Sequence, residues 1–158
     1  MILKNLIDED FINYKKPSMV LGFPKCNFKC DHECGRQVCQ NGALATAPDI
    51  EINPVDIIKR YIDNDITQAI CCQGLEPFDS FADLLTFIFL FRSISDDDIV
   101  IYTGYNEDEI ADKVDEIAKW YSDIIIKFGR FIPGQQPHYD EVLGVNLASD
   151  NQYARKVS

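Results

Sequence analysis

Two runs in the second half of the chain, Ile99-Val100-Ile101-Tyr102 and Ile124-Ile125-Ile126, are apolar at consecutive rather than alternate positions. Strands of that kind need cover on both faces, the condition met inside a parallel α/β sheet. Between them, Glu107 to Tyr121 places Ile110, Val114, Ile117 and Ala118 on one helical face with acidic residues opposite. Strand, helix and strand in that order form a βαβ unit, which commits the two strands to parallel neighbours.

The same alternation extends towards the N-terminus. Ser18–Phe23 is predicted as a strand, and Pro54–Asp63 as a helix with Val55, Ile57, Ile58, Tyr61 and Ile62 apolar and Pro54 in its first turn. A second strand is expected over Thr67–Cys72 and a strongly apolar helix over Ser80–Arg92, with Asp79 or Ser80 as N-cap. Asp98–Thr103 and Asp123–Phe128 complete four strands, while Phe131–Glu141 is Pro-, Gly- and Gln-rich and reads as a loop before a short terminal segment, Val142–Val157. No linker or repeat divides the 158 residues, so one α/β domain with a mostly parallel sheet is expected. Sites in such sheets lie at the C-terminal strand ends.

Composition removes several function classes. A net charge of −11 leaves no basic face to neutralise phosphates, which argues against nucleic acid and anionic membranes as partners. The longest apolar stretch, around Leu84–Phe91, is interrupted by Thr86 and too short to span a bilayer. Met1-Ile2-Leu3-Lys4 lacks the features of a signal peptide, so a cytoplasmic protein with reduced thiols is expected.

In that setting, Cys26, Cys30, Cys34 and Cys39, crowded after the first strand, point to a metal centre. An iron–sulfur cluster normally takes one thiolate per iron, and three cysteines on a four-iron cluster would leave one iron open. A structural zinc site would instead close on all four cysteines as a tetrahedron, although zinc knuckles usually show two separated Cys pairs. Cys71 and Cys72 end the second strand, one to each face, and are expected to be structural. His32 is expected as a polar loop residue, Phe81, Phe87, Phe89 and Phe91 as helix packing, and Asp96–Asp98 as a solvated turn.

Cys26-x3-Cys30 with Phe28 between, followed by Gln73-Gly74-Leu75-Glu76-Pro77 after the second strand, resembles the radical S-adenosylmethionine family. Its signature is Cys-x3-Cys-x2-Cys, and its second motif is Gly-Gly-Glu-Pro. Here Glu33 stands where the third cysteine belongs and Leu75 replaces the second glycine. The third ligand is therefore Cys34, with one extra residue, or Cys39, with a longer insertion over Asp31–Val38. Cys39-Gln40-Asn41 keeps the family's trailing Asn and favours Cys39. Thr103-Gly104-Tyr105, Gly129-Arg130-Phe131 and Ala148-Ser149-Asp150-Asn151-Gln152 narrow the likeness to the anaerobic ribonucleoside-triphosphate reductase activating proteins.

This resemblance implies an incomplete (βα) barrel holding a [4Fe–4S] cluster on Cys26, Cys30 and Cys39 or Cys34. It implies S-adenosylmethionine on the open iron, with Gly74 and Glu76 positioning its methionine end and Thr103 and Tyr105 lining the pocket. The implied activity is reductive cleavage of S-adenosylmethionine to make a glycyl radical on a partner enzyme, the large subunit of anaerobic ribonucleotide reductase, with an external one-electron donor such as a flavodoxin. The competing expectations are a zinc-stabilised α/β binding module without radical chemistry, and a radical enzyme with another target.

Overall fold

The consecutive apolar runs lie side by side as inner strands of a six-stranded sheet. The computed structural model describes residues 1–158. The elements in chain order are β1 (Ile2–Leu3), β2 (Asn5–Asp10), β3 (Ser18–Phe23), α1 (Lys29–Cys34), α2 (Gly42–Ala45), β4 (Ile50–Glu51) and α3 (Pro54–Ile62). There follow β5 (Ala69–Gly74), α4 (Phe81–Arg92), β6 (Asp98–Tyr102), α5 (Ala111–Trp120), β7 (Ile124–Phe128), β8 (His138–Asp140), β9 (Val145–Leu147) and β10 (Tyr153–Lys156). The sheet order is β10-β7-β6-β5-β3-β2. The four inner strands are parallel, and β2 and β10 are antiparallel edges. The α/β class with a mostly parallel sheet is thus as expected.

From β3 to β7 the spatial order follows the chain order, so every crossover steps the same way. Right-handed crossovers that never reverse direction put their helices on one face. Accordingly Ile57 and Ile58 of α3, Leu84, Phe87, Ile88 and Phe91 of α4, and Val114 and Ile117 of α5 share one core with Leu21, Ile70, Ile99, Ile101 and Ile126. The opposite face carries a smaller core, in which Val20, Cys71, Val100 and Ile125 meet Tyr14, Leu143 and Leu147. Cys71 and Cys72 lie one in each core, as strand alternation requires. No helix is long and apolar enough to cross a membrane.

Several boundaries and placements differ from expectation. β5 starts at Ala69 and runs through Gln73 and Gly74, because its whole length pairs in register with β3, from Ser18↔Ala69 to Phe23↔Gly74. A tight 3₁₀ turn over Pro77–Ser80 leads into α4, which begins one residue after the predicted start, and a second, Glu107–Glu109, takes the first turn of the helix predicted over Glu107–Tyr121. The predicted loop over Phe131–Glu141 ends in β8, which pairs with β9. β2 was not anticipated, since Asn-Leu-Ile-Asp-Glu-Asp reads as polar; an edge strand needs only one pairing partner and tolerates such charge. Phe89 is 62% exposed, because Phe87 and Phe91 use the buried stripe of α4 and a residue midway between them faces away. His32 sits in α1 rather than in a loop. The Asp96–Asp98 turn is more than solvated: Tyr61 donates to Asp97 at 2.7 Å and Tyr14 to Asp98 at 3.0 Å.

Candidate functional site

A cavity of about 290 Å³ opens at the C-terminal ends of β3, β5, β6 and β7. Its wall takes Cys26, Cys30 and Cys39 from the segment after β3, Gln73 to Glu76 from the end of β5, Tyr102 to Tyr105 from the end of β6 and the turn beyond it, Lys127 from β7 and Arg130 from just past it. Val145 to Ala148 and Gln152, around β9, close the remaining side. All the expected site residues except Cys34 line this cavity. Cys34, at the last position of α1, is exposed.

The cysteine loop is held by its own polar groups. Phe28 takes a left-handed backbone, φ 53°, and its N–H donates to Cys26 Sγ at 3.2 Å. Helix α1 then carries Cys30 and stops at Gly35, φ 64°. The chain returns through Val38 and Cys39, whose N–H groups donate to Asp31 Oδ1 at 2.7 and 2.8 Å. Asn41 Nδ2 donates to Gly74 O at 2.8 Å, tying the loop to the end of β5. Asn27 is anchored twice: its N–H donates to Asp79 at 3.0 Å and its amide to Tyr105 Oη at 2.7 Å. Tyr105 in turn donates to Asp79 at 2.7 Å. On the outer side, Lys29 pairs with Glu109, and Arg130 donates to both Glu109 oxygens at 2.7 and 2.9 Å. Although burial alone would raise the Glu109 carboxyl, its bonds from Lys29, the Asn106 N–H and Arg130 hold it down at about 2.

Glu76 joins two strand ends. Its Oε1 accepts from Thr103 Oγ1 at 2.8 Å and from the Phe78 N–H at 3.1 Å, and its Oε2 accepts from the Gly104 N–H at 2.8 Å. Burial pushes this carboxyl up to about 7 against the opposing pull of those three donors. Thr103 Oγ1 also accepts from the Tyr105 N–H at 3.0 Å, so Thr103, Gly104 and Tyr105 form one turn around Glu76.

Lys127 was missed from the sequence. It is 6% exposed, and its ammonium donates to Gly129 O at 2.6 Å and weakly to Thr103 O at 3.5 Å, with no carboxylate in ion-pair contact. Burial lowers its pKa to about 8, partly offset by the charge of Glu76. The signal was present: one lysine interrupts Ile-Ile-Ile-Lys-Phe at the strand end where sites lie. The Ala148–Gln152 segment acts through Gln152, whose Oε1 accepts from the Ala148 and Ser149 N–H groups at 3.1 Å while Nε2 donates to Gly129 O at 3.2 Å.

The donor set can be judged from the thiols. All six cysteines are free. Burial pushes Cys26 up to about 11; burial, then the nearby Cys39 and Asp31, push Cys30 up to about 12. Both are neutral thiols in the protein alone, and a bound cation would deprotonate them. No three Cys, His, Asp or Glu side chains enclose a single-ion position, and with Cys34 outside the cavity a closed four-cysteine tetrahedron is not formed. Three soft sulfur donors spread along one wall of a cavity fit a cluster, whose bridging sulfides supply the remaining bonds to each iron.

A family model described as a 4Fe-4S single cluster domain matches residues 18–152, from the first residue of β3 to Gln152, a span that holds almost the whole cavity wall. No curated protein and no solved structure matches the chain.

Proposed function

The chain belongs to the 4Fe-4S single cluster domain family, and from that premise we propose that it is a radical S-adenosylmethionine activating enzyme. One observation carries the reading: Cys26, Cys30 and Cys39 share a cavity with Gly74, Glu76, Thr103 and Tyr105, and Cys34 does not. In this reading Cys26, Cys30 and Cys39 hold a [4Fe–4S] cluster, residues 1–158 form one domain around it, and the one-directional winding from β3 to β7 is that of an incomplete (βα) barrel.

Held by Cys26, Cys30 and Cys39, the cluster would supply one-electron reductive cleavage of S-adenosylmethionine, the chemistry that would remove a hydrogen atom from a partner's glycine Cα. The chain's own groups bind and orient. Gly74 and Glu76 fix the wall at the end of β5, and Glu76 holds the Thr103–Tyr105 turn against it. Lys127 brings a buried positive charge without a carboxylate partner to the cavity wall, which favours a ligand bearing an anionic group, as the methionine carboxylate is. The partner is a glycyl-radical enzyme, the large subunit of an anaerobic ribonucleotide reductase, and a flavodoxin-like donor supplies the electron.

Anaerobic reconstitution with iron and sulfide is expected to give about four irons per chain and reductive formation of 5′-deoxyadenosine. Cys39→Ala is expected to abolish both, and Cys34→Ala to leave both near the parent level. A tight stoichiometric zinc without cleavage would refute the enzyme reading. A glycyl radical on co-expressed reductase, seen by electron paramagnetic resonance, tests the partner.

A further inference from the structure

Eight residues, Asp31 to Val38, separate Cys30 from Cys39, and something must bring the far end of that insertion back to the cavity. Cys34 is the nearer alternative: on α1 it lies four residues after Cys30, on the same helical side, yet it stands exposed and outside the cavity. We propose that Asp31 is the positioning residue that brings Cys39, rather than Cys34, to the third place of the site. The proposal rests on the reading of Cys39 as a ligand.

Asp31 Oδ1 accepts from the N–H groups of Val38 and Cys39 at 2.7 and 2.8 Å. Between residues 36 and 41 these are the only backbone N–H groups with an acceptor in the protein. The same oxygen lies 3.8 Å from Cys30 Sγ. One carboxylate oxygen therefore touches the residues at both ends of the insertion and closes it as a ring. Bonds from N–H to a carboxylate are the stronger class of hydrogen bond, and two converging on one atom fix direction as well as distance. Asn41, bonded to Gly74 O, holds the exit of the loop and does not touch the Cys39 N–H. Without Asp31 the Cys39 N–H has no other acceptor, and the backbone there keeps only the long bond from the Gly42 N–H to Cys39 O at 3.4 Å, so the sulfur is free to swing out with its loop.

The test separates acceptor from charge. Asp31→Ala removes the acceptor; Asp31→Asn keeps an oxygen able to accept both N–H groups and removes the charge. In the 158-residue chain without iron, Cys39 alkylation followed by peptide mass spectrometry is expected to quicken about tenfold or more in Asp31→Ala, as loss of charge-assisted bonds would give. Cys34 alkylation is expected to stay unchanged, and Asp31→Asn to remain close to the parent. Iron retained after reconstitution is expected to fall in Asp31→Ala and to persist in Asp31→Asn. Hydrogen exchange on the unmutated chain supplies a measurement independent of any variant's folding: the Val38 and Cys39 amides should be protected relative to those of Gln37 and Gln40. Equal exchange at all four, an Asp31→Ala chain that alkylates and binds iron as the parent does, or an Asp31→Asn chain as impaired as Asp31→Ala overturns the proposal. If Cys39→Ala loses iron while Asp31→Ala does not, this proposal fails alone. If Cys34→Ala loses iron and Cys39→Ala retains it, the ligand reading fails and takes this proposal with it.

Discussion

Replacing Gly74 by alanine is expected to cost the fold several kcal/mol, for a reason that lies in the sheet. Gly74 ends β5 with φ 101°, a backbone that L side chains rarely adopt. A Cβ there would stand 2.6 Å from Phe23 N, 2.7 Å from Gly22 Cα and 2.8 Å from Gly22 C. Those atoms are the backbone of β3, hydrogen-bonded in register with β5, and cannot rotate aside. Positive φ alone costs about 1–2 kcal/mol, and forcing a methyl into a closed contact adds about 1–3 kcal/mol. The sum, about 2–5 kcal/mol, is a large share of the roughly 5–15 kcal/mol that holds a domain together. With a urea m-value of about 2 kcal/mol per M, the midpoint should fall by about 1–2.5 M with unchanged slope. Two controls divide the terms. Gly35 has φ 64° and open space at its Cβ position, so Gly35→Ala should show the backbone term only, at most about 2 kcal/mol. Gly104 would meet neighbours no closer than 3.6 Å, ordinary contact, so Gly104→Ala should change stability by less than about 0.5 kcal/mol. A Gly74→Ala stability within about 1 kcal/mol of the parent, or no worse than that of Gly35→Ala, would refute the reasoning.

Glu76 gives stability a pH dependence of known sign. Its folded pKa, about 7, lies above the ordinary value of 4.5, so its contribution is full below pH 4.5 and is lost as pH rises through 7. The stability of Glu76→Gln relative to the parent should therefore improve between pH 4.5 and 8, by up to about 3 kcal/mol from 1.36 kcal/mol per pKa unit; urea titrations at both pH values check it, and a constant difference contradicts it. On α4, Phe87→Ala should lose about 3–5 kcal/mol because Phe87 is fully buried, while Phe89→Ala, at a 62% exposed position, should stay within about 0.5 kcal/mol of the parent. Equal losses at the two positions would show that α4 is rotated from its described face.

The parallel core could be read from residue order because its cause is local. Ile99–Tyr102 and Ile124–Ile126 are apolar at every position, and only strands covered on both faces tolerate that. The strand edges were harder. β2 is acidic and β8 and β9 have three residues each, so neither periodicity nor length marks them, and their pairing partners alone make them strands. The motifs after β3, β5 and β6 were placed at one sheet edge by topology, and the cavity collects them there. Their individual duties were not readable. The resemblance implies that Gly74 positions the methionine end of a ligand, and the backbone of β3 by itself already forbids a side chain there. The resemblance implies the same role for Glu76, and the hydrogen bonds that commit both its oxygens to Thr103, Gly104 and Phe78 appear only in three dimensions.

By itself the sequence determined the α/β class, the strand that delivers the cysteines, and the chemistry of the donors, since apolar runs and thiols act through their own composition. Which thiols share a cavity was decided only in three dimensions. Cys34 is nearer to Cys30 in the chain, but a helix fixes its direction, and α1 leaves it in solvent. Cys39 is farther along and arrives at the cavity because Asp31 reaches across the insertion to its N–H. Spacing along a chain measures how far a residue can reach; hydrogen bonds between distant positions determine where it comes to rest.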